Sequence, residues 1–278
     1  MKINRIIFNV FLPMLALVFI LGACQKNEDL LTADAKTGGL AIATGSVPYK
    51  LGATPSVPLT LDIPMGPGIS KIEVFNQYFS TATGNKSAKI LMSTVDIASG
   101  NASADIEKAF SINYQDLSKD ITIDGAALPA DENLLPIGDK WVLTYESIMA
   151  ADGRRVVNNA NTTIAVANLY AGYYSCTGVF THPTAGPRDI DETKFLTPVN
   201  AYSCSLPAGD LGAAGYFVTI TVDPATNDIS FSNGIPTEML AQPGMRSYYD
   251  PETGHIFLHY FYVGSSGSRL IDEEYAPL

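Results

Sequence analysis

Val57, Leu59, Leu61 and Ile63 fall at every second position of VPLTLDI, and this alternation recurs along most of the chain. A period of two marks a strand with one buried face. Pro55, Pro58 and Pro64 place the segment at a sheet edge, because proline cannot donate to a central ladder. ISKIEVFNQYF (69–79), AKILMSTVDI (88–97), FSINY (110–114), DKWVLTYESIM (139–149) and RVVNNANTTIAVANLY (155–170) continue the pattern. The stretch 114–134 offers one short helical turn, and Ala151-Asp152-Gly153-Arg154 reads as a hairpin turn. About seven strands with closely spaced turns predict an immunoglobulin-like or fibronectin-like β-sandwich over residues 46–167.

The pattern restarts near Tyr170. YAGYYSCTGVFTH (170–182) and FLTPVNAYSCSL (195–206) read as strands around a polar loop at 183–193. YFVTITVDPATNDISFS (216–232) predicts a hairpin turning at Asp223–Asp228, and SYYDPETGHIFLHYFYV (247–263) another at Asp250–Gly254. RLIDEEY (269–275) supplies a last strand. Residues 168–278 therefore read as a second antiparallel β domain, either a sandwich or a small barrel. No long amphipathic helical pattern follows residue 24, so the class is all-β.

The amino end differs. Lys2 and Arg5 precede an apolar run from Val10 to Ala23. That run is shorter than the ~20 residues of a bilayer-spanning helix. A basic start followed by such a run is the form of a secretory signal. Its end, Leu21-Gly22-Ala23-Cys24, resembles the bacterial lipobox, which implies a signal peptide over 1–23 and lipidation of Cys24. Acyl chains would tether the mature chain to a membrane. Residues 24–45 read as a flexible tether. Gln25-Lys26-Asn27-Glu28-Asp29 resembles the surface-export signal of Bacteroidetes lipoproteins, with Asn27 interrupting the usual order. The expected address is the outer membrane facing the cell surface, with its periplasmic face as the alternative.

Composition narrows the partners. The chain carries a net charge of −11, with 16% charged and 46% hydrophobic residues, which is globular rather than disordered. Such a surface excludes nucleic acid, whose binding rests on cationic phosphate contacts. The acidic excess grows along the chain: 9 basic and 13 acidic residues in 46–167, then 4 and 12 in 168–278. With Cys24 assigned to lipid, Cys176 and Cys204 remain as a possible disulfide or as two small buried thiols.

Two stretches carry a family resemblance. LPIGDKWVLTYESIMAADGRRVVNNANTTIAVANLYAGYY (135–174) is similar to the junction of many Bacteroidetes surface lipoproteins, where a β-sandwich ends and an AG-x-Y motif opens the next domain. YYDPETGHIFLHYFY (248–262) resembles the final hairpin of such proteins. The resemblance implies a companion of SusC/SusD-type glycan-uptake systems with a SusE/SusF-like layout, binding carbohydrate without cleaving it. It transfers no binding residue.

Candidate chemistry is sparse. His255 and His259 share a strand face but stand ~13 Å apart, too far for one metal, and His182 falls in a loop. No serine sits in a nucleophile elbow and no phosphate-binding glycine fingerprint follows a strand. Asp189, Asp191 and Glu192 cluster in one predicted loop, as do Asp272, Glu273 and Glu274, whereas glycosidase carboxylates face each other across a cleft. RDIDE (188–192) offers hard oxygens for calcium but lacks a full calcium-loop spacing. No catalytic residue, metal site or cofactor is assigned, and the protein is expected not to be an enzyme.

Aromatics are the best lead, since sugar rings stack apolar faces on them. Trp141, Leu143 and Tyr145 share one strand face and read as core. Tyr173, Tyr174 and Tyr202 flank the cysteines and read as packing. Tyr248 and Tyr249, beside a turn, are the ligand-binding candidates. The expected function is a non-catalytic surface lipoprotein binding glycan or another extracellular ligand in a nutrient-acquisition system. The alternatives are a structural or adhesive protein with protein partners and, third, a hydrolase.

Overall fold

Strand alternation governs which residues are buried. The computed structural model describes residues 36–53 and 56–278. The expected signal peptide, Cys24 and the first part of the tether lie outside the described residues. Strands β1 (Ile42–Ala43), β2 (Ser46–Leu51), β3 (Val57–Ile63), β4 (Ile69–Phe79), β5 (Ile90–Asp96) and β6 (Ile106–Ile112) come first. A short helix, α1 (Tyr114–Ser118), and a small hairpin, β7 (Thr122–Ile123) with β8 (Ala126–Ala127), follow. The long strands β9 (Lys140–Met149) and β10 (Arg155–Asn168) complete this half.

Local chemistry sets the breaks. Asn113 caps α1 by accepting from the Asp116 N–H at 3.0 Å, and the Asp116 carboxylate accepts from the Asn113 N–H at 3.1 Å. The β7–β8 turn holds Asp124 and Gly125 at φ 52° and 82°, the left-handed pair that a tight hairpin requires.

Two sheets form the sandwich, in the orders β1-β3-β6 and β2-β10-β9-β4-β5. Between them lie Leu59, Leu61 and Ile63 of β3, Ile72 and Val74 of β4, Trp141 and Leu143 of β9, and Ile164 of β10. Trp141 packs edge-on against Tyr49 and Tyr78, at centroid distances of 5.5 and 5.3 Å. The β2–β10 pair is parallel. The segment expected at an edge, β3, is the middle strand of its sheet. β1 covers only its Leu61–Asp62 end, so Pro58 still sits where that flank has no strand partner among the described residues.

The second half forms one nine-stranded sheet. It contains β11 (Gly172–His182), β12 (Gly186–Pro198), β13 (Ser203–Pro207), β14 (Phe217–Val222) and β15 (Ile229–Ile235). It is completed by β16 (Leu240–Ala241), β17 (Tyr248–Tyr249), β18 (Ile256–Gly264) and β19 (Gly267–Pro277). The order is β15-β14-β13-β12-β11-β19-β18-β16, with β17 also on β18. Its ends meet: the Ile229 N–H donates to the Ser247 carbonyl and the Tyr249 N–H to the Asn227 carbonyl, both at 2.9 Å. The sheet is therefore a nearly closed barrel, and the described residues are nearly all β.

The expected polar loop at 183–193 is mostly β12. Its turn is confined to Pro183–Ala185, and its acidic side chains stand on a strand that pairs with β11 from Gly186 to Leu196. At the start of the barrel, buried Asn168 accepts from the Tyr170 N–H at 2.6 Å. Its Nδ2 donates to the carbonyls of Asn200 and, at 3.1 Å, Ser203. This one side chain ties the end of β10 to the β12–β13 turn.

Candidate ligand-binding cleft

β12 and β13 fork. They pair only at Thr197–Ser205 and Pro198–Cys204. From Gly186 to Leu196 that flank of β12 has no strand partner among the described residues. Pro207 ends β13 and cannot donate to a ladder, and the chain turns away through Ala208–Tyr216 before β14 begins.

The fork opens a cleft of about 430 Å³. Thr197 and Ser205 line it where the strands join, Thr193 and Phe195 along β12, and Pro207 and Phe217 on the other side. Glu192 and Asp210 line it farther from the join. Phe195 and Phe217 are 43% and 37% exposed, and Tyr173 beside them is 63% exposed. Tyr173 and Phe195 are register partners with ring centroids 4.8 Å apart. A row of hydroxyl residues runs across four strands beside the aromatics: Thr197 opposite Ser205, Ser205 opposite Thr219, Thr219 opposite Ser232. The site thus offers apolar ring faces next to hydrogen-bonding groups.

Behind the cleft lies a buried polar cluster. Lys194 projects into the barrel, and its ammonium donates to Glu273 Oε1, to the Gly209 carbonyl at 2.6 Å and to the Pro207 carbonyl at 3.3 Å. The two side chains are 1% and 0% exposed. Tyr260 and Tyr275 donate to Glu273 Oε2 at 2.8 and 3.0 Å, and the Cys176 thiol approaches Oε1 at 3.5 Å. All three ammonium protons and both carboxylate oxygens therefore have partners, the condition under which a buried ion pair is tolerated. Burial alone would lower the Lys194 pKa, but the adjacent Glu273 carboxylate outweighs it and holds the ammonium above its ordinary value. Burial, and then Glu273, push Tyr260 and Tyr275 well above the usual phenol range.

The expected site residues are dispersed. Tyr248 and Tyr249 are neighbours on a strand and so point to opposite faces. Tyr248 stacks on Phe257 at 4.8 Å with an interplanar angle of 18°, and the Arg246 guanidinium lies 4.9 Å from its ring. Tyr249 packs edge-on against Tyr170 at 4.9 Å. Neither lines the cleft. His255 and His259 each meet a carboxylate through Nδ1, Glu274 at 2.9 Å and Asp272 at 2.7 Å. Asp191 and Glu274 are both register partners of Thr177, so they flank β11 rather than cluster in loops. Among the described residues no group of three or more His, Cys, Asp or Glu could hold a metal.

Cys176 and Cys204, considered as a disulfide, are free buried thiols. They sit on β11 and β13, with β12 between, so their backbones are about 9–10 Å apart by strand spacing alone, beyond disulfide reach. Cys176 lies opposite Glu192 of β12 and Cys204 opposite Pro198, which separates them further along the strands. Burial pushes both thiols up to about 12. Native protein at pH 8 should therefore resist iodoacetamide at both positions, with labelling only on unfolding. Peptide mass mapping checks this.

Lys194, Phe195, Phe217 and the buried role of Glu273 escaped sequence reasoning. A signal was present. Ile190, Lys194 and Leu196 share one strand face, and Ile271, Glu273 and Tyr275 another. Arg188 and Glu192 fall on the first face by period but are exposed, so the buried part of each apolar face carries one charge, of opposite sign.

A family model described only as "-like, C-terminal" matches residues 158–275, from within β10 to within β19. No curated protein matches the chain. A crystal structure from Bacteroides ovatus, described as structural genomics of unknown function, is similar over 87% of this chain and 91% of its own. It has 13% identity and a TM-score of 0.35. Among the described residues no helix is long and apolar enough to cross a membrane.

Proposed function

We propose that the protein is a non-catalytic, lipid-anchored surface protein that binds glycan at the β12–β13 fork, in a SusC/SusD-type uptake complex. The observation that carries this reading is the exposed pair Phe195 and Phe217 lining one cleft, with Thr197 and Ser205 at its apex. Sugar rings present C–H faces to aromatic rings and hydroxyls to polar groups. A cleft lined mainly by apolar groups with a few placed polar ones suits such a ligand. The lipobox-like Leu21-Gly22-Ala23-Cys24 supports the anchor.

Affinity electrophoresis of the full chain in gels containing plant, host or microbial polysaccharide tests the binding. Phe195→Ala and Phe217→Ala should each weaken it by about five- to thirty-fold, the loss of roughly 1–2 kcal/mol of stacking and burial. Tyr248→Ala should leave it unchanged. Equal mobility in every polysaccharide gel would discard the reading. For the anchor, Cys24→Ser should release the protein from membranes and abolish palmitate incorporation.

A second reading has its own support. The unpaired flank of β12 is an open strand edge, and such edges accept a strand from another chain. Slowed amide exchange confined to 186–196 on binding a SusC/SusD-type partner would favour protein recognition at this face.

A further inference from the structure

The charges at the fork are unequally matched. Arg188 grips Asp210 through Nε and Nη2, the latter at 2.6 Å. Lys194 also lines the cleft, but its side chain is buried and its three protons are engaged by Glu273 and two carbonyls. Both cations near the cleft are thus neutralised by the protein itself. Glu192 is left over: its side chain is 43% exposed and lies 3.5 Å from the Lys194 ammonium, which Glu273 already holds. Exposed Asp189 and Asp191 precede it on the same strand. A carboxylate only accepts hydrogen bonds, so Glu192 seeks donors. Sugar hydroxyls supply them, whereas a uronate or sulfate brings a like charge.

Resting on the glycan reading above, we propose that the cleft takes uncharged glycan and rejects uronate- and sulfate-bearing chains, with Glu192 setting this preference. Phe195 and Phe217 supply contact that is indifferent to charge. Discrimination then falls to the polar lining, where like-charge juxtaposition disfavours the wrong ligand.

Affinity electrophoresis of the full chain in low salt separates the possibilities. The gels carry xylan or glucomannan as neutral polymers, and polygalacturonate or chondroitin sulfate as anionic ones. Wild type should be retarded by at least one neutral polymer and by neither anionic one. Glu192→Lys should gain affinity for an anionic polymer by about tenfold or more, and added salt should remove the gain. Glu192→Gln, which keeps an acceptor oxygen and loses the charge, should narrow the gap between neutral and anionic polymers, by less than Glu192→Lys does. Retardation of wild type by polygalacturonate as strong as by any neutral polymer would overturn the selectivity while leaving the glycan reading intact, as would a Glu192→Lys variant with unchanged behaviour. Free migration of wild type in all four gels would bring down both.

Discussion

Glu273→Ala is expected to lower stability by about 3–5 kcal/mol, because it leaves the Lys194 ammonium buried without a counter-charge. The same change removes the acceptor for the Tyr260 and Tyr275 hydroxyls. Lys194→Met should cost a similar amount, since it strands the carboxylate instead. The double variant, Lys194→Met with Glu273→Leu, should recover much of the loss, as apolar replacements of buried pairs commonly do. Guanidinium unfolding midpoints at constant m-value measure all three. A loss below about 1 kcal/mol for Glu273→Ala, the range of exposed pairs, would contradict the buried arrangement.

The same cluster gives stability an alkaline limit. The Lys194 ammonium is held above its ordinary value, so its contribution is complete below about pH 10.4 and lost as pH rises through the folded value. Cys176 and Cys204 act in the same direction. Each keeps its proton up to about 12 in the folded state, whereas an unfolded thiol loses it near pH ~8.5. The unfolded state therefore gains by ionising, and stability should decline from about pH 8.5 upward.

Gly178→Ala is expected to cost about 3 kcal/mol, at the upper end of overpacking penalties. Gly178 is the register partner of Glu273 in the β11–β19 pair. A methyl group there would stand 2.1 Å from the Asp272 carbonyl oxygen and 3.0 Å from the Glu273 Cα. Both are backbone atoms and cannot swing aside as a side chain would, so the two strands must part. Thermal unfolding should show a fall of roughly 6–12 °C. Gly45→Ala is the matched control, because nothing lies within 4 Å of its added methyl group. Equal melting of the two variants would contradict the close approach.

Glu273 and Gly178 share one strand pair, and together they show where a local pattern stops informing. Asp272-Glu273-Glu274 resembles a solvated acidic run in sequence. In the barrel, Asp272 and Glu274 stand outside against His259 and His255, while Glu273 lies inside against Lys194. Period-two geometry assigns Glu273 to the face of Ile271 and Tyr275, but only the partner strand makes that face tolerable for a charge. RDIDET misled in the same manner. Its polarity suggested a loop, whereas pairing to β11 makes it a strand with one flank free.

Alternation of apolar residues was enough, from sequence, to establish the all-β class, the hairpins at 216–232 and 247–263, and Trp141, Leu143 and Tyr145 as core, because those properties are local to a strand. Barrel closure, the separation of Cys176 from Cys204 by β12, the Lys194–Glu273 pair and the Phe195–Phe217 cleft were decided only in three dimensions. Each depends on which strands become neighbours across long sequence separations, and the side-chain period of a single strand carries no information about its partner.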